Sequence, residues 1–338
     1  MIHTTRRAVL AGMASAPFVP GLAQAQTIGG ITRFDEAFDA VIDVKSPIEV
    51  LGTGYKWSEG PVWVKKHGYL LFNDVPSNVC YKWKAGEGVT KFLEPSGLAG
   101  PIPDGVREGG ANGLAIDANG DLIMADSGSR AIARLDLETR KKTVIADKYS
   151  GMRFNSCNDV AIGREGIIYF TDPPYGLAGG DKSPLKEIDY NGVYRVHPQG
   201  GEVGLIDKSL KRPNGVALSP DNMLLYVAVS DPDQPEIRVY ALAADGSAMD
   251  EGRLFHDFRA EVAQKLPGLP DGLKTDTAGR IFATGPGGVY VLSREGKRLG
   301  LISTGKAIAN CCFGEDGKTL FLTSADTLAR VRLKSGGW

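Results

Sequence analysis

The feature that most constrains this chain is a short motif that occurs six times along it. Each copy begins with a short polar residue, usually followed by Gly, and continues with a few apolar residues in alternation. The first copy is residues 57–63. The six leading polar residues lie 39 to 57 residues apart: Glu59, Asn112, Asn158, Asn214, Asp271 and Asn310. Units of this length, built from short strands, are typical of β-propeller blades. We therefore predict an all-β fold, a six-bladed β-propeller.

Within each unit, strand-forming residues alternate with turns rich in Gly, Pro, Asn and Ser. In the first unit the expected strands are residues 60–63, 69–74, 79–83 and 89–92. Later units repeat the pattern at residues 122–126, 167–172, 224–228 and 320–323. One helix is expected, at residues 258–265. Ahead of the first unit, residues 31–34 or 48–50 are expected to pair with the last blade, which would close the ring and remove an open sheet edge.

If the six units are blades, their leading polar side chains converge on the central channel. They comprise two carboxylates and four amides, so every one of them offers an oxygen donor. Oxygen ligands suit a hard cation such as Ca²⁺, whereas Zn²⁺ and Cu²⁺ favour His or Cys. A divalent cation would also offset the cost of burying two acids. The alternative is that the Asn-Gly and Asp-Gly pairs simply form turns.

Three long insertions interrupt the repeat, at residues 95–110, 173–191 and 231–236. Loops of this length commonly carry function, and these three are expected to frame one mouth of the channel.

Charge and cysteine content exclude other classes of protein. Lys and Arg number 39 and Asp and Glu 40, with no basic stripe, so we expect no nucleic-acid partner. The four Cys residues have no spacing that suggests a disulfide framework, and no His lies near them as in a zinc site. We expect buried free thiols.

The N-terminus differs from the rest of the chain. Residues 1–25 contain an Arg pair at positions 6 and 7, a weakly apolar stretch, and Ala23 and Ala25 flanking Gln24. This layout predicts a twin-arginine-type export signal, with residues 26–338 forming the mature propeller in the periplasm. The alternative is a membrane anchor. Because the apolar stretch is short and interrupted by Pro17 and Pro20, we expect no stable membrane insertion once the signal is removed.

Six segments together resemble the gluconolactonase/senescence-marker-protein/luciferin-regenerating-enzyme family, and exported bacterial gluconolactonases in particular. They are residues 57–63, 153–156, 169–176, 191–194, 212–215 and 269–272. The resemblance spans essentially the whole mature chain. It implies a six-bladed propeller that hydrolyses a sugar lactone, D-glucono-1,5-lactone above all. It also implies one catalytic divalent cation in the channel, often Ca²⁺, with Zn²⁺, Mg²⁺ or Mn²⁺ as alternatives.

The resemblance also assigns roles to residues. Glu59, Asn214 and Asp271 match the metal ligands of the family, and Asp271 matches its general base. Asn158 matches a residue that ligates the metal or contacts substrate. In some relatives an Arg occupies the position of Ser156, so the contacts with substrate at this position must differ in this chain.

Four further residues are candidates for substrate binding without a firm counterpart in the family. Asn112 and Asn310 come from the repeat, and Arg107 and Glu108 lie in the loop before Asn112, where they could also be plain surface charges.

No G-x-S-x-G nucleophile motif is present, which favours hydrolysis by activated water without a covalent intermediate. Two alternatives to a lactonase remain at this point. One is a phosphotriesterase of the diisopropylfluorophosphatase type, and the other is a non-catalytic, metal-stabilised propeller that binds ligands.

Overall fold

The computed structural model describes residue 1 and residues 26–337, so residues 2–25 of the predicted export signal lie outside the described residues. The described chain forms six antiparallel sheets of four or five strands, together with a separate two-stranded hairpin. The innermost strand of each sheet contacts those of its two neighbours, which closes the sheets into a ring. This confirms the six-bladed β-propeller.

The strands of blades 1 to 3 follow one another along the chain, from the innermost strand outward. Blade 1 contains Ser58–Val64, Tyr69–Asp74, Val79–Lys84 and Gly88–Leu93. Blade 2 contains Leu114–Ile116, Leu122–Asp126, Ala131–Leu135 and Lys142–Ala146. Blade 3 contains Val160–Ile162, Ile168–Asp172, Gly192–Val196 and Val203–Asp207. The predicted strands of these units are confirmed to within two residues at each end.

Blades 4 to 6 repeat the order, and the last two also take up N-terminal strands. Blade 4 contains Pro213–Leu218, Leu224–Val229, Glu236–Ala241 and Arg253–Asp257. Blade 5 contains Leu273–Thr275, Ile281–Gly285, Gly288–Leu292 and Arg298–Ser303, with Gly30–Arg33 at its outer edge. Blade 6 contains Asn310–Gly314, Thr319–Ser324 and Thr327–Arg332, with Ile48–Thr53 outermost.

An N-terminal strand closes the ring, as expected. Ile48–Thr53 pairs antiparallel with Thr327–Arg332, so the last blade combines strands from both ends of the described chain. The other candidate segment pairs elsewhere, since Gly30–Arg33 extends blade 5 instead. Both N-terminal strands cover an outer sheet edge that would otherwise expose unpaired backbone groups.

Outside the blades, the described chain contains only short elements. The hairpin joins Lys148–Tyr149 to Met152–Arg153, and the 3₁₀ turns are Glu36–Ala40, Arg164–Gly166 and Gly180–Lys182. The predicted helix is present but shorter, at Arg259–Val262. Lys265, at the end of the predicted span, has a positive φ, which a right-handed helix cannot accommodate. No helix in residues 26–337 has both the length and the apolar character needed to cross a membrane.

The hydrophobic core is distributed between the blades. In the described part of the chain, buried apolar side chains form six clusters, each between two adjacent blades. Alternation along a strand produces this arrangement, because Leu320 and Leu322 pack against blade 5 while Phe321 packs against blade 1. The four Cys residues belong to these clusters and are free and buried, which confirms the expectation.

Candidate active site in the central channel

One end of the channel opens into a cavity of about 600 Å³. Its walls carry polar side chains from several blades as well as a few apolar ones. The lining residues are Trp57, Glu59, Arg107, Glu108, Asn112, Asn158, Tyr175, Asn214, Ser230, Gly268, Leu269, Asp271, Ala307 and Ile308. The structure therefore brings together five of the six leading polar residues, and adds Arg107 and Glu108. The sixth, Asn310, does not line this cavity.

The Gly residues that follow the leading polar residues allow the inner strands to approach one another. Gly60 lies within an inner strand at φ +55°, and a Cβ atom there would overlap the carbonyl of Asn112. Gly215 also lies within an inner strand, and a Cβ atom there would overlap the carbonyl of Asp271. At these two positions the Gly is required by close backbone approach. Of the two, only Gly215 belongs to an Asn-Gly pair, and it lies within a strand and not in a turn.

Polar side chains on the second strands hold the backbone of the inner ring in place. Asn73 Nδ2 donates to the carbonyl of Asn112 at 2.6 Å, from blade 1 to blade 2. Thr171 Oγ1 donates to the carbonyl of Asn214 at 2.5 Å, from blade 3 to blade 4. These bonds fix the segments from which the cavity side chains project, which is how a rigid scaffold preorganises a site.

Two amide oxygens in the cavity have no hydrogen-bond partner among the described residues. Asn214 Nδ2 donates to Ser230 Oγ at 2.9 Å, which leaves Asn214 Oδ1 buried without a hydrogen bond among the described residues. Asn112 Oδ1 is likewise buried without a hydrogen bond among the described residues. Buried acceptors are almost always satisfied, so unpartnered ones in a polar cavity are consistent with a ligand or a cation.

Two of the three carboxylates that line the cavity, those of Glu59 and Asp271, lie against each other. Burial, and secondarily the charge of Asp159, raises the pKa of Glu59, while the Gly60 N–H and the Asn310 amide act in the opposite direction. Burial and the adjacent Glu59 hold the pKa of Asp271 well above its usual value. A divalent cation would relieve both effects, because it favours the charged form of each acid.

The chemistry of the donors therefore fits a hard cation. Within the described residues, no three His, Cys, Asp or Glu side chains converge on one point, so a site here must also use amide oxygens. Two acids and neighbouring Asn side chains supply the oxygen ligands that Ca²⁺ accepts in flexible geometry.

Asn310 supports the ring from outside the cavity. Its side chain is buried, and Oδ1 accepts from the Cys311 N–H at 2.9 Å and from Lys274 Nζ at 3.4 Å. Its amide also hydrogen-bonds the Glu59 carboxylate. Asn310 is thus in contact with a cavity side chain without reaching the cavity itself.

Two of the three long insertions form the mouth of the cavity together. The Arg107 N–H donates to the carbonyl of Gly176 at 2.8 Å, and the Ala178 N–H donates to that of Gly105 at 2.8 Å. Arg107 and Glu108 form an ion pair at 2.7 Å on this rim. The third insertion, residues 231–236, contributes no lining residue, so its expected place at the mouth is not observed.

Sequence reasoning missed Tyr175 and Ser230. Burial raises the pKa of Tyr175 to about 12, and its hydroxyl lies near Ser230 and Asn214. Ser156 holds the turn that carries Tyr175, since its Oγ donates to the carbonyl of Pro173 at 2.6 Å and accepts from the Gly176 N–H at 2.9 Å. The family-like segment 169–176 contains Tyr175, but a search for leading polar residues does not single it out.

Comparison with known families establishes the relationship. Residues 57–326 match the family described as the SMP-30/Gluconolactonase/LRE-like region. The chain belongs to this family. A gluconolactonase of Zymomonas mobilis is 47% identical over 339 residues, which cover 97% of this chain and 95% of the relative.

Solved structures agree with this assignment. The gluconolactonase of Xanthomonas campestris superposes with a TM-score of 0.79 at 29% identity, covering 93% of this chain and 99% of that one. Regucalcin of Agrobacterium tumefaciens, a calcium-binding protein, superposes with a TM-score of 0.67 at 17% identity, covering 93% and 97%. At that identity the second similarity concerns the fold alone.

Proposed function

We propose that this protein hydrolyses a sugar lactone, D-glucono-1,5-lactone to D-gluconate, in the cavity of its central channel. As a member of the gluconolactonase family, the chain is a lactone hydrolase. The observation that carries the specific proposal is the pair of contacting carboxylates, Glu59 and Asp271. In the same cavity lie two amide oxygens that have no hydrogen-bond partner among residues 26–337. The 47% identity to a gluconolactonase supports the choice of substrate.

One divalent cation, Ca²⁺ in the first instance, is part of the proposal. Glu59, Asn158, Asn214 and Asp271 would hold it, since all four line the cavity and all offer oxygen. When bound, such a cation polarises the lactone carbonyl and lowers the pKa of a water molecule. The oxygen-only donors of these four side chains support this choice of metal.

The side chains of the cavity divide the remaining work. Asp271 accepts the proton of the attacking water, and its backbone N–H is fixed by a hydrogen bond to Thr284 Oγ1 at 3.1 Å. The Tyr175 hydroxyl is protonated at neutral pH, as an ordinary tyrosine is, so it can donate to a substrate oxygen. Asn112, Arg107 and Glu108 bind the sugar hydroxyls.

A panel of lactones assayed by pH-stat tests this proposal. The purified protein is stripped with EDTA, shown to be metal-free, and assayed with and without added Ca²⁺, Mg²⁺, Mn²⁺ or Zn²⁺. We expect turnover of D-glucono-1,5-lactone only with metal. Full turnover in metal-free protein would contradict the metal mechanism. Hydrolysis of a fluorophosphate in preference to every lactone would support the phosphotriesterase alternative, and metal that only raises thermal stability would support the binding propeller.

We also propose that the protein acts in the periplasm after export by the twin-arginine machinery. The Arg pair at positions 6 and 7 and the small residues Ala23 and Ala25 support this. Mass spectrometry of the natively produced protein should find a chain that begins near Gln26. A chain that retains Met1 would contradict it.

A further inference from the structure

A lysine lies beneath the cavity, on the side of the ring away from the substrate. Lys274 belongs to the inner strand of blade 5, and its side chain is only 24% exposed. Its Nζ donates to the carbonyl of Leu273 at 3.0 Å and to Asn310 Oδ1 at 3.4 Å. Lys274 does not line the 600 Å³ cavity; it lines a second cavity of about 450 Å³ formed by the inner strands.

The nearest carboxylate to this ammonium is Asp159. Lys274 Nζ lies 4.0 Å from Asp159 Oδ2, and the Asp159 side chain is only 3% exposed. Asp159 also accepts from two backbone groups, the Val160 N–H at 2.9 Å and the Val216 N–H at 3.2 Å. Asp159 follows Asn158 directly, so this third acid lies just behind the cavity wall.

Asp159 and Lys274 both lie close enough to Glu59 to act on it through their charges, and the charge of Asp159 also acts on Asp271. Burial opposes the charged form of Lys274. Its pKa is nevertheless raised, because nearby groups, above all the Asp159 carboxylate, favour the charged form. A raised pKa and a place outside the substrate cavity exclude Lys274 as the general base.

We propose that Lys274 is a positioning residue whose ammonium neutralises Asp159, so that Glu59 and Asp271 alone are left to balance one divalent cation. When ionised, Glu59, Asp271 and Asp159 carry three negative charges and Lys274 carries one positive charge. The net charge of −2 is balanced by a single divalent cation. Without Lys274, Asp159 would be a buried charge without a counter-ion, which is strongly destabilising. The inference rests on the proposed metal site, but the Lys274–Asp159 pairing can be tested without metal.

The first test is a double-mutant cycle in metal-free protein. Lys274→Met, Asp159→Asn and the double variant are unfolded in urea beside the wild type, with the exposed Lys318→Met as control. We expect Lys274→Met to lower the midpoint strongly and Asp159→Asn to restore most of the loss when added to it. Should Lys274→Met not fold, rescue by Asp159→Asn would support the pairing. A double variant as unstable as the sum of the two single variants would overturn it.

The second test is calorimetric titration of the same metal-free proteins with Ca²⁺. Because a nearby positive charge repels the metal, Lys274→Met should bind Ca²⁺ more tightly than the wild type, by roughly tenfold. Asp159→Asn should bind more weakly, and the double variant should lie near the wild type. Unchanged affinity in Lys274→Met would overturn the proposed charge balance. If the wild type itself binds no divalent cation, the metal site of the proposed function is wrong, and the urea cycle still decides whether Lys274 neutralises Asp159.

Discussion

Asn214 and Ser230 are linked by a hydrogen bond of 2.9 Å from Nδ2 to Oγ, which helps to orient the Asn214 amide. The Ser230 hydroxyl in turn donates to the carbonyl of Pro270, immediately before Asp271. One hydroxyl therefore orients an oxygen of Asn214 in the cavity and braces the segment that carries Asp271. Such supporting hydrogen bonds commonly determine how well a metal ligand performs.

Ser230→Ala should weaken Ca²⁺ binding, because the Asn214 amide loses one of the acceptors that orient it. We expect affinity to fall roughly 10- to 100-fold, as measured by calorimetric titration of metal-free protein. Ser230→Thr retains a hydroxyl and should recover much of the loss, and the exposed Ser209→Ala serves as control. Equal affinities in Ser230→Ala and the wild type would show that Asn214 is oriented by other contacts.

Asp271→Asn should leave a folded protein with little activity. The substitution retains shape and one oxygen but removes the charge needed to accept a proton. We expect kcat to fall on the order of 10²–10⁴-fold, the range for general acid–base catalysis, in stopped-flow or pH-stat assays at saturating Ca²⁺. The exposed Asp233→Asn controls for loss of charge alone. Recovery of the wild-type kcat by excess Ca²⁺ would mean that Asp271 is only a ligand and the base lies elsewhere.

Glu108→Gln should affect substrate binding more than turnover. Glu108 is paired with Arg107 at the cavity mouth, away from the two contacting acids, and the substitution breaks that ion pair with little change of shape. We expect KM for the lactone to rise roughly tenfold, about the value of one hydrogen bond to a charged group, with kcat nearly unchanged. The control is Glu138→Gln on an exposed turn. A fall in kcat at constant KM would assign Glu108 to the chemical step.

His256 should make the protein less stable as pH falls from 7 to 5. Burial lowers its pKa; Nδ1 donates to the carbonyl of Gly296 at 2.9 Å, and Nε2 is buried without a partner among the described residues. The unfolded chain therefore takes up a proton at a higher pH than the folded one. The stability that neutral His256 contributes is present above its unfolded pKa, about 6.5, and is lost as pH falls through the folded pKa.

Urea unfolding at pH 7 and pH 5 measures this effect. The loss of unfolding free energy between the two pH values should be smaller in His256→Gln than in the wild type. The exposed His197→Gln should show the wild-type difference. An undiminished loss in His256→Gln would assign the pH dependence to other groups.

Much of the site could be predicted because the repeat marks one position in every blade. Glu59, Asn112, Asn158, Asn214 and Asp271 occupy the same phase of their units, and equivalent positions in a closed ring must face its centre. Asn310 has the same phase but hydrogen-bonds its neighbours instead of lining the cavity. The position of a residue within its repeat determines whether its side chain faces the centre of the ring. It does not determine how deep in the channel that side chain lies.

The sequence by itself determined the blade count, the predicted strands to within two residues, and five of the polar residues that line the cavity. It could do so because strand alternation and turn chemistry are local and recur in every blade. Only the tertiary structure decided which groups support those donors. Ser230 and Pro270 are 40 residues apart, and Lys274 and Asp159 belong to blades that are not adjacent in the chain. Contacts of this kind depend on how closely the blades approach one another and on how each side chain is oriented in the channel. No local pattern in the sequence encodes these two properties.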